Sequence, residues 1–166
     1  MEKICVFPGT FNPFTKGHLD IVERSSRLFD RVIVAAAVET GKTGVLDVKH
    51  RAALIEKCVS GFKNVSVRGF SGLLVDFCKA AGADVIVRGI RNYNDFLLEN
   101  SLSLINRKLS ENVETVFLIT SPEHSHISSS SVRDLIRLKA DITSFVPAEI
   151  KEDLIKLYRE QVIGNR

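Results

Sequence analysis

Five apolar runs rich in β-branched residues recur along the chain: KICVF at 3–7, RVIVAAAV at 31–38, NVSVR at 64–68, DVIVR at 84–88 and VETVFLI at 113–119. Runs this continuous suit strands covered on both faces, which is the environment of a parallel sheet. Between them the apolar residues fall at helical spacing, over 17–29, 47–60 and 71–81. Asp47 with Gly61, and Ser71 with Gly82, stand where N-cap and C′ residues belong. Further helices are predicted at 93–109, 129–138 and 147–162, the last with Pro147 in its first turn, where a missing N–H costs nothing. The alternation predicts an α/β chain: a single Rossmann-like doubly wound domain over residues 1–166, with a five-stranded parallel sheet and helices on both faces. With 166 residues, 45% of them hydrophobic, the chain can bury a core of that size.

Charge narrows the partners. The net charge is +3 and positive and negative side chains are interspersed without a run of five like charges. Nucleic acid and a polybasic membrane patch are therefore not expected, whereas small anionic ligands are. Cys5, Cys58 and Cys78 are odd in number, lack zinc-ligand spacing and fall inside predicted elements, so they read as buried thiols. Met1 is followed by Glu2 and Lys3, and no apolar stretch is long enough to span a bilayer, so a soluble cytoplasmic protein is expected.

Open α/β sheets bind ligands beyond the carboxyl ends of their strands, which directs attention to four loops. After the first strand, FPGTFNPFTKGHLD offers Gly9 for close approach, the amides of Thr10 and Phe11, and His18 in the first turn of a helix. A helix N-terminus attracts anions through its free amides and dipole. A lone histidine there more often packs or caps, but this loop favours a ligand role. After the second strand, AAAVETGKTG imitates a phosphate loop, with Gly41, Lys42 and Thr43 in place. Ala36 replaces its first glycine and Gly44 interrupts the entry into a helix, so Lys42 is read as a cation able to reach the site or as a solvated lysine. After the fourth strand, RGIRNYND carries Arg88 and Arg91, which suggest phosphate, or pairing with Asp95 and Glu99, or both. After the fifth, HSHISSSS enters a helix with more hydroxyls than one cap needs. His124 and His126 have no third ligand nearby, which disfavours a metal there.

A cradle of this kind, without a GxSxG, HExxH or paired-carboxylate signature, suits phosphoryl or nucleotidyl transfer, where positioning and charge neutralisation dominate. His18, Lys42, Arg91 and a Mg²⁺ ion would offset the charge that gathers there.

GTFNPFTKGH together with ISSSSVR resembles the paired signature of the T/HxGH nucleotidyltransferase superfamily, with Thr15 in the first position of that motif. FPGTFNPFTKGHLDI, RGIRNYNDFLLE, Asn106–Arg107 and VFLITSPEHSHISSS extend the likeness nearly end to end, to the bacterial phosphopantetheine adenylyltransferase family. The resemblance implies reversible adenylyl transfer from ATP to 4′-phosphopantetheine, yielding dephospho-CoA and pyrophosphate with Mg²⁺, in a cytoplasmic homohexamer, with CoA as an inhibitor. It implies ATP contacts at Thr10, Phe11, His18, Gly89, Ile90, Arg91 and Glu99, and an adenylate-binding loop of His124, Ser125, His126, Ile127, Ser128, Ser129 and Ser130. It implies phosphopantetheine contacts at Thr10, Lys42, Leu74 and Arg88, and transition-state stabilisation by His18. Asn12 stands where aspartate is commoner, and His124 and His126 where aromatic residues often occur.

Overall fold

The computed structural model describes residues 2–38 and 46–164. The chain runs β1 (Ile4–Gly9), α1 (Lys16–Leu28), β2 (Arg31–Ala37), α2 (Val48–Val59), β3 (Val65–Phe70), α3 (Leu74–Ala81), β4 (Val85–Ile90), α4 (Tyr93–Leu109), β5 (Glu114–Ile119), α5 (Ser129–Arg137) and α6 (Lys151–Gly164). Short 3₁₀ turns at Pro122–His124 and Ala148–Ile150 precede the last two helices. The five strands form one parallel sheet in the order β3-β2-β1-β4-β5.

The pleat sorts the strand residues onto two cores. Cys5 and Phe7 of β1, and Val32, Val34 and Ala36 of β2, meet Ile21 and Val22 of α1, Leu54 and Ile55 of α2, and Leu154 of α6. Ile4, Val6, Ile33 and Ala35 face the other way, with Ile86, onto Cys78 of α3 and its neighbours Leu74 and Phe77. The doubly covered central strands are the continuous apolar runs of the sequence. All three cysteines are free and buried. Burial pushes the Cys5 and Cys58 thiols up to about 12 and Cys78 up to about 11, which keeps them protonated and unreactive. No helix among the described residues is long and apolar enough to cross a membrane.

Asp47 caps α2 by accepting the His50 N–H at 2.8 Å, and Gly82 closes α3 in the left-handed conformation, φ 66°. Two local expectations are corrected. Ser71 does not cap α3: Gly72, at φ 83°, turns the chain first, and the helix begins after Leu73 without a side-chain cap. Pro147 lies outside the last helix, at the entry to the Ala148–Ile150 turn, because that turn intervenes before α6. β4 also runs two residues further than expected, so Gly89 and Ile90 belong to the strand rather than to the loop.

Candidate active site

In this strand order β1 lies between β2 and β4, and the chain reverses its direction of travel across the sheet there. A cleft of about 840 Å³ opens at that switch point, beyond the carboxyl ends of β1 and β4. Its floor is the β1–α1 loop and the first turn of α1, one wall is β4 with the start of α4, and the other is the start of α5.

His18 owes its state to the cap of α1. Thr15 is the N-cap: its hydroxyl accepts the His18 backbone N–H at 3.4 Å, while the Thr15 backbone N–H donates to His18 Nδ1 at 3.1 Å. The imidazole thus closes a capping box of the kind usually completed by Glu or Gln. Because Nδ1 accepts that N–H, the neutral ring carries its proton on Nε2. Phe7, Phe11 and Phe14 surround it, with ring centroids 6.3, 5.1 and 5.5 Å away. Desolvation, followed by the charges of Arg91 and Arg88, lowers its pKa to about 3. His18 is an uncharged hydrogen-bond donor at neutral pH.

Phe11 adopts φ 52° and is itself buried, its ring lying over Gly9 so closely that a Cβ there would come within 2.8 Å. The loop consequently turns its backbone, not the Phe11 ring, toward the ligand space.

The two predicted arginines are both paired and both on the cleft wall. Arg88 donates from Nε to Glu99 at 2.6 Å, from Nη2 to the same carboxylate, and from Nη1 to the Pro8 carbonyl at 2.7 Å. Arg91 grips Asp95 through Nε at 2.8 Å and Nη2 at 3.0 Å, and reaches the Ile127 carbonyl through Nη1 at 3.0 Å. Desolvation works against ionisation of Asp95, and the Arg91 bonds outweigh it, holding the carboxyl below its usual range. Three of the five N–H groups on each guanidinium are engaged in this way, which leaves two to meet a ligand. The carboxylates orient the forks without exhausting them.

Across the cleft, Ser128 caps α5 by accepting the Ser131 N–H at 3.0 Å, and Ser129 Oγ donates to the Pro13 carbonyl at 2.8 Å. Ile127, Ser128, Ser129 and Ser130 line the space, with Thr10, Phe11, His18, Arg88, Gly89, Arg91 and Glu99. Ile90, His124, Ser125 and His126 do not line it; His126 stacks edge-on against Phe145 instead, and the His124 carbonyl lies against Gly17. Leu74 is half-buried on the opposite core. Lys42 lies outside the described residues.

Two arginines escaped the sequence reading. Arg51 of α2 is 2% exposed and donates to the Leu46 carbonyl at 2.7 Å and to the Thr10 carbonyl, fastening the floor loop from behind. Arg133 of α5 lines the cleft, donates to the Asn12 carbonyl at 2.5 Å and has no carboxylate partner among the described residues. It closes the ISSSSVR stretch one helical turn beyond Ser129, and that position in the quoted motif was the available signal.

A switch-point cleft walled by two helix N-termini and oriented arginines defines an α/β nucleotidyltransferase, and the cytidylyltransferase-like family model matches residues 6–135. The phosphopantetheine adenylyltransferase of Clostridium perfringens (strain SM101 / Type A) is 47% identical over 164 residues, 99% of this chain and 98% of that protein. The phosphopantetheine adenylyltransferase of Staphylococcus haemolyticus (strain JCSC1435) is 43% identical over 156 residues, covering 94% and 97%. The chain belongs to the phosphopantetheine adenylyltransferase family. Among solved structures, a putative nicotinate-nucleotide adenylyltransferase from Vibrio parahaemolyticus shares the fold, with a TM-score of 0.74 at 22% identity over 96% of this chain and 97% of that one.

Proposed function

We propose that the chain transfers the adenylyl group of ATP to 4′-phosphopantetheine, giving dephospho-CoA and pyrophosphate, a step of coenzyme A biosynthesis. The observation that carries this reading is an Nε2-protonated, uncharged His18 on the floor of a cleft of nucleotide size, in a chain 47% identical to a phosphopantetheine adenylyltransferase.

The acceptor's phosphate, with a second pKa near ~6, arrives largely deprotonated at neutral pH and needs no base. One of its oxygens attacks the α-phosphorus of ATP, that P–O bond forms, and the bond to the bridging oxygen of the leaving pyrophosphate breaks. His18 donates from Nε2 to the oxygens on which charge builds, together with the Gly17 N–H, since the Lys16 and His18 amides already donate to the Phe145 carbonyl and the Thr15 hydroxyl. Arg91, with Gly89, Thr10, Phe11 and Glu99, is assigned to ATP, and Ile127 to Ser130 to its adenylate part; Ile90 and the residues from His124 to His126, which lie outside this lining, are assigned to ATP on the family resemblance alone. Arg88, Thr10, Leu74 and Lys42 are assigned to phosphopantetheine, with Lys42 offsetting phosphate repulsion as the transfer proceeds. CoA, which contains the adenylylated pantetheine of the product, would compete for the same cleft.

The described residues hold no group of three His, Cys, Asp or Glu side chains able to cage a metal, and Asp95 and Glu99 are committed to arginines. A Mg²⁺ ion would therefore be held chiefly by the nucleotide's phosphates and its own waters, neutralising their charge. We further assign the chain, on the family resemblance, to a cytoplasmic homohexamer; for self-association, though not for its number, the exposed apolar face of α4 is support.

Incubation with Mg-ATP and either 4′-phosphopantetheine or nicotinamide mononucleotide, followed by mass measurement of the products, tests the reading. Dephospho-CoA and pyrophosphate are expected from the first mixture. Turnover confined to nicotinamide mononucleotide would replace the acceptor assignment.

A further inference from the structure

The floor loop is tied to the far end of the chain. Tyr158 of α6 brings its phenol oxygen to 2.5 Å from Asn12 Oδ1, and both residues are buried. That separation suits O–H···O, which spans about 2.5–3.0 Å, better than N–H···O, which begins near ~2.7 Å. The phenol is the donor and the amide oxygen the acceptor, so the amide nitrogen is the end turned away from Tyr158. Burial raises the phenol's pKa, which keeps the donor proton in place. Arg133 occupies the Asn12 backbone carbonyl. Asn12 lines the cleft. Among the described residues the sealed side-chain atom without a partner is Ser25 Oγ, so Asn12 Nδ2, which no protein atom accepts, is not sealed, and the space that Asn12 borders is the cleft.

We propose that Asn12 contacts the ligand by donating from Nδ2 to a phosphate oxygen in the cleft, and that Tyr158 is the positioning residue that holds the amide in that orientation. The inference rests on the reading that both substrates bring phosphates to this cleft. It gives a task to α6, which lies beyond the stretch matched by the family model.

Two variants test it. Tyr158→Phe keeps the ring and frees the amide to turn. Asn12→Leu/Tyr158→Phe removes both polar partners together, leaving neither orphaned, so its melting temperature is expected close to wild type. Calorimetric titration with Mg-ATP and, separately, with 4′-phosphopantetheine gives Kd, and steady-state assays give KM and kcat. Loss of a hydrogen bond to a charged oxygen predicts a Kd weaker by about 10–100-fold in the double variant and by roughly 3–10-fold in Tyr158→Phe. KM should follow Kd while kcat changes little, the pattern of lost ground-state binding. Weakening confined to Mg-ATP assigns the donor to the triphosphate, and weakening confined to 4′-phosphopantetheine assigns it to the acceptor. A folded double variant that binds both as wild type does overturns the inference, as does a Tyr158→Phe variant that loses only melting temperature. Wild-type protein that binds Mg-ATP without making dephospho-CoA overturns the proposed reaction and leaves the titration as the test of Asn12.

Discussion

His18 sits among three phenylalanine rings with the Thr15 N–H on its Nδ1, and burial, followed by the charges of Arg91 and Arg88, keeps the ring neutral. The folded state refuses protonation until about pH 3, whereas the unfolded chain accepts it near pH 6.5. Below pH 6.5 the unfolded state therefore binds the extra proton, and stability falls as pH falls, by at most about 1.4 kcal/mol per pH unit. Above pH 6.5 the group contributes no slope. In His18→Ala, denaturant titrations between pH 6.5 and 4 should show a shallower loss of stability than wild type. The same variant should lose kcat by roughly 10²–10³, or about 3–4 kcal/mol of transition-state stabilisation. Normal turnover per folded molecule would reduce His18 to a cap. His18 was legible because its loop stood out by composition. Arg51 and Tyr158 were not, because their partners, the Thr10 carbonyl and Asn12 Oδ1, are 41 and 146 residues distant and carry no local pattern.

At the scale of elements, α1 and β4 must approach closely for His18 to face the arginines. Gly89 makes that possible: a Cβ there would lie 3.0 Å from Ile21 Cγ1 on α1. Gly89→Ala should cost about 1–3 kcal/mol through overpacking, measured by chemical denaturation, and trimming the neighbour in Gly89→Ala/Ile21→Val should recover part of it. Equal stability of both variants would show that α1 shifts freely. The strands and most helices were legible because doubly buried strands write continuous apolar runs and because Asp47 and Gly82 mark real ends. Ser71 misled because glycine two residues before a helix can turn the chain without a cap. The extra residues of β4 were hidden because Gly89 reads as a loop residue until its packing against Ile21 is seen.

At the scale of the molecule, α4 has no buried residue, and Leu97, Leu98, Leu104 and Ile105 are all exposed. An apolar helix this open marks an interaction face. The chain should run as a homo-oligomer in light scattering, and Leu97→Glu/Leu104→Glu should lower its mass while leaving helix content unchanged; a monomeric wild type would remove the hexamer assignment. The hexamer assignment comes from the family resemblance alone, and the uncovered face of α4 was not legible in composition, since α4 reads as an ordinary helix of mixed polarity until the sheet shows which of its residues stay uncovered. The cleft's floor loop, fastened by Arg51, Arg133 and Tyr158, divides the chain unequally between scaffold and finish. All five strands lie before residue 120, whereas Tyr158 lies 39 residues beyond the end of β5 at Ile119. Damage confined to that stretch of α6 would delete no strand and neither arginine tie, yet it would release the Asn12 amide, so a lesion at a distant helix would be felt first at the floor of the cleft.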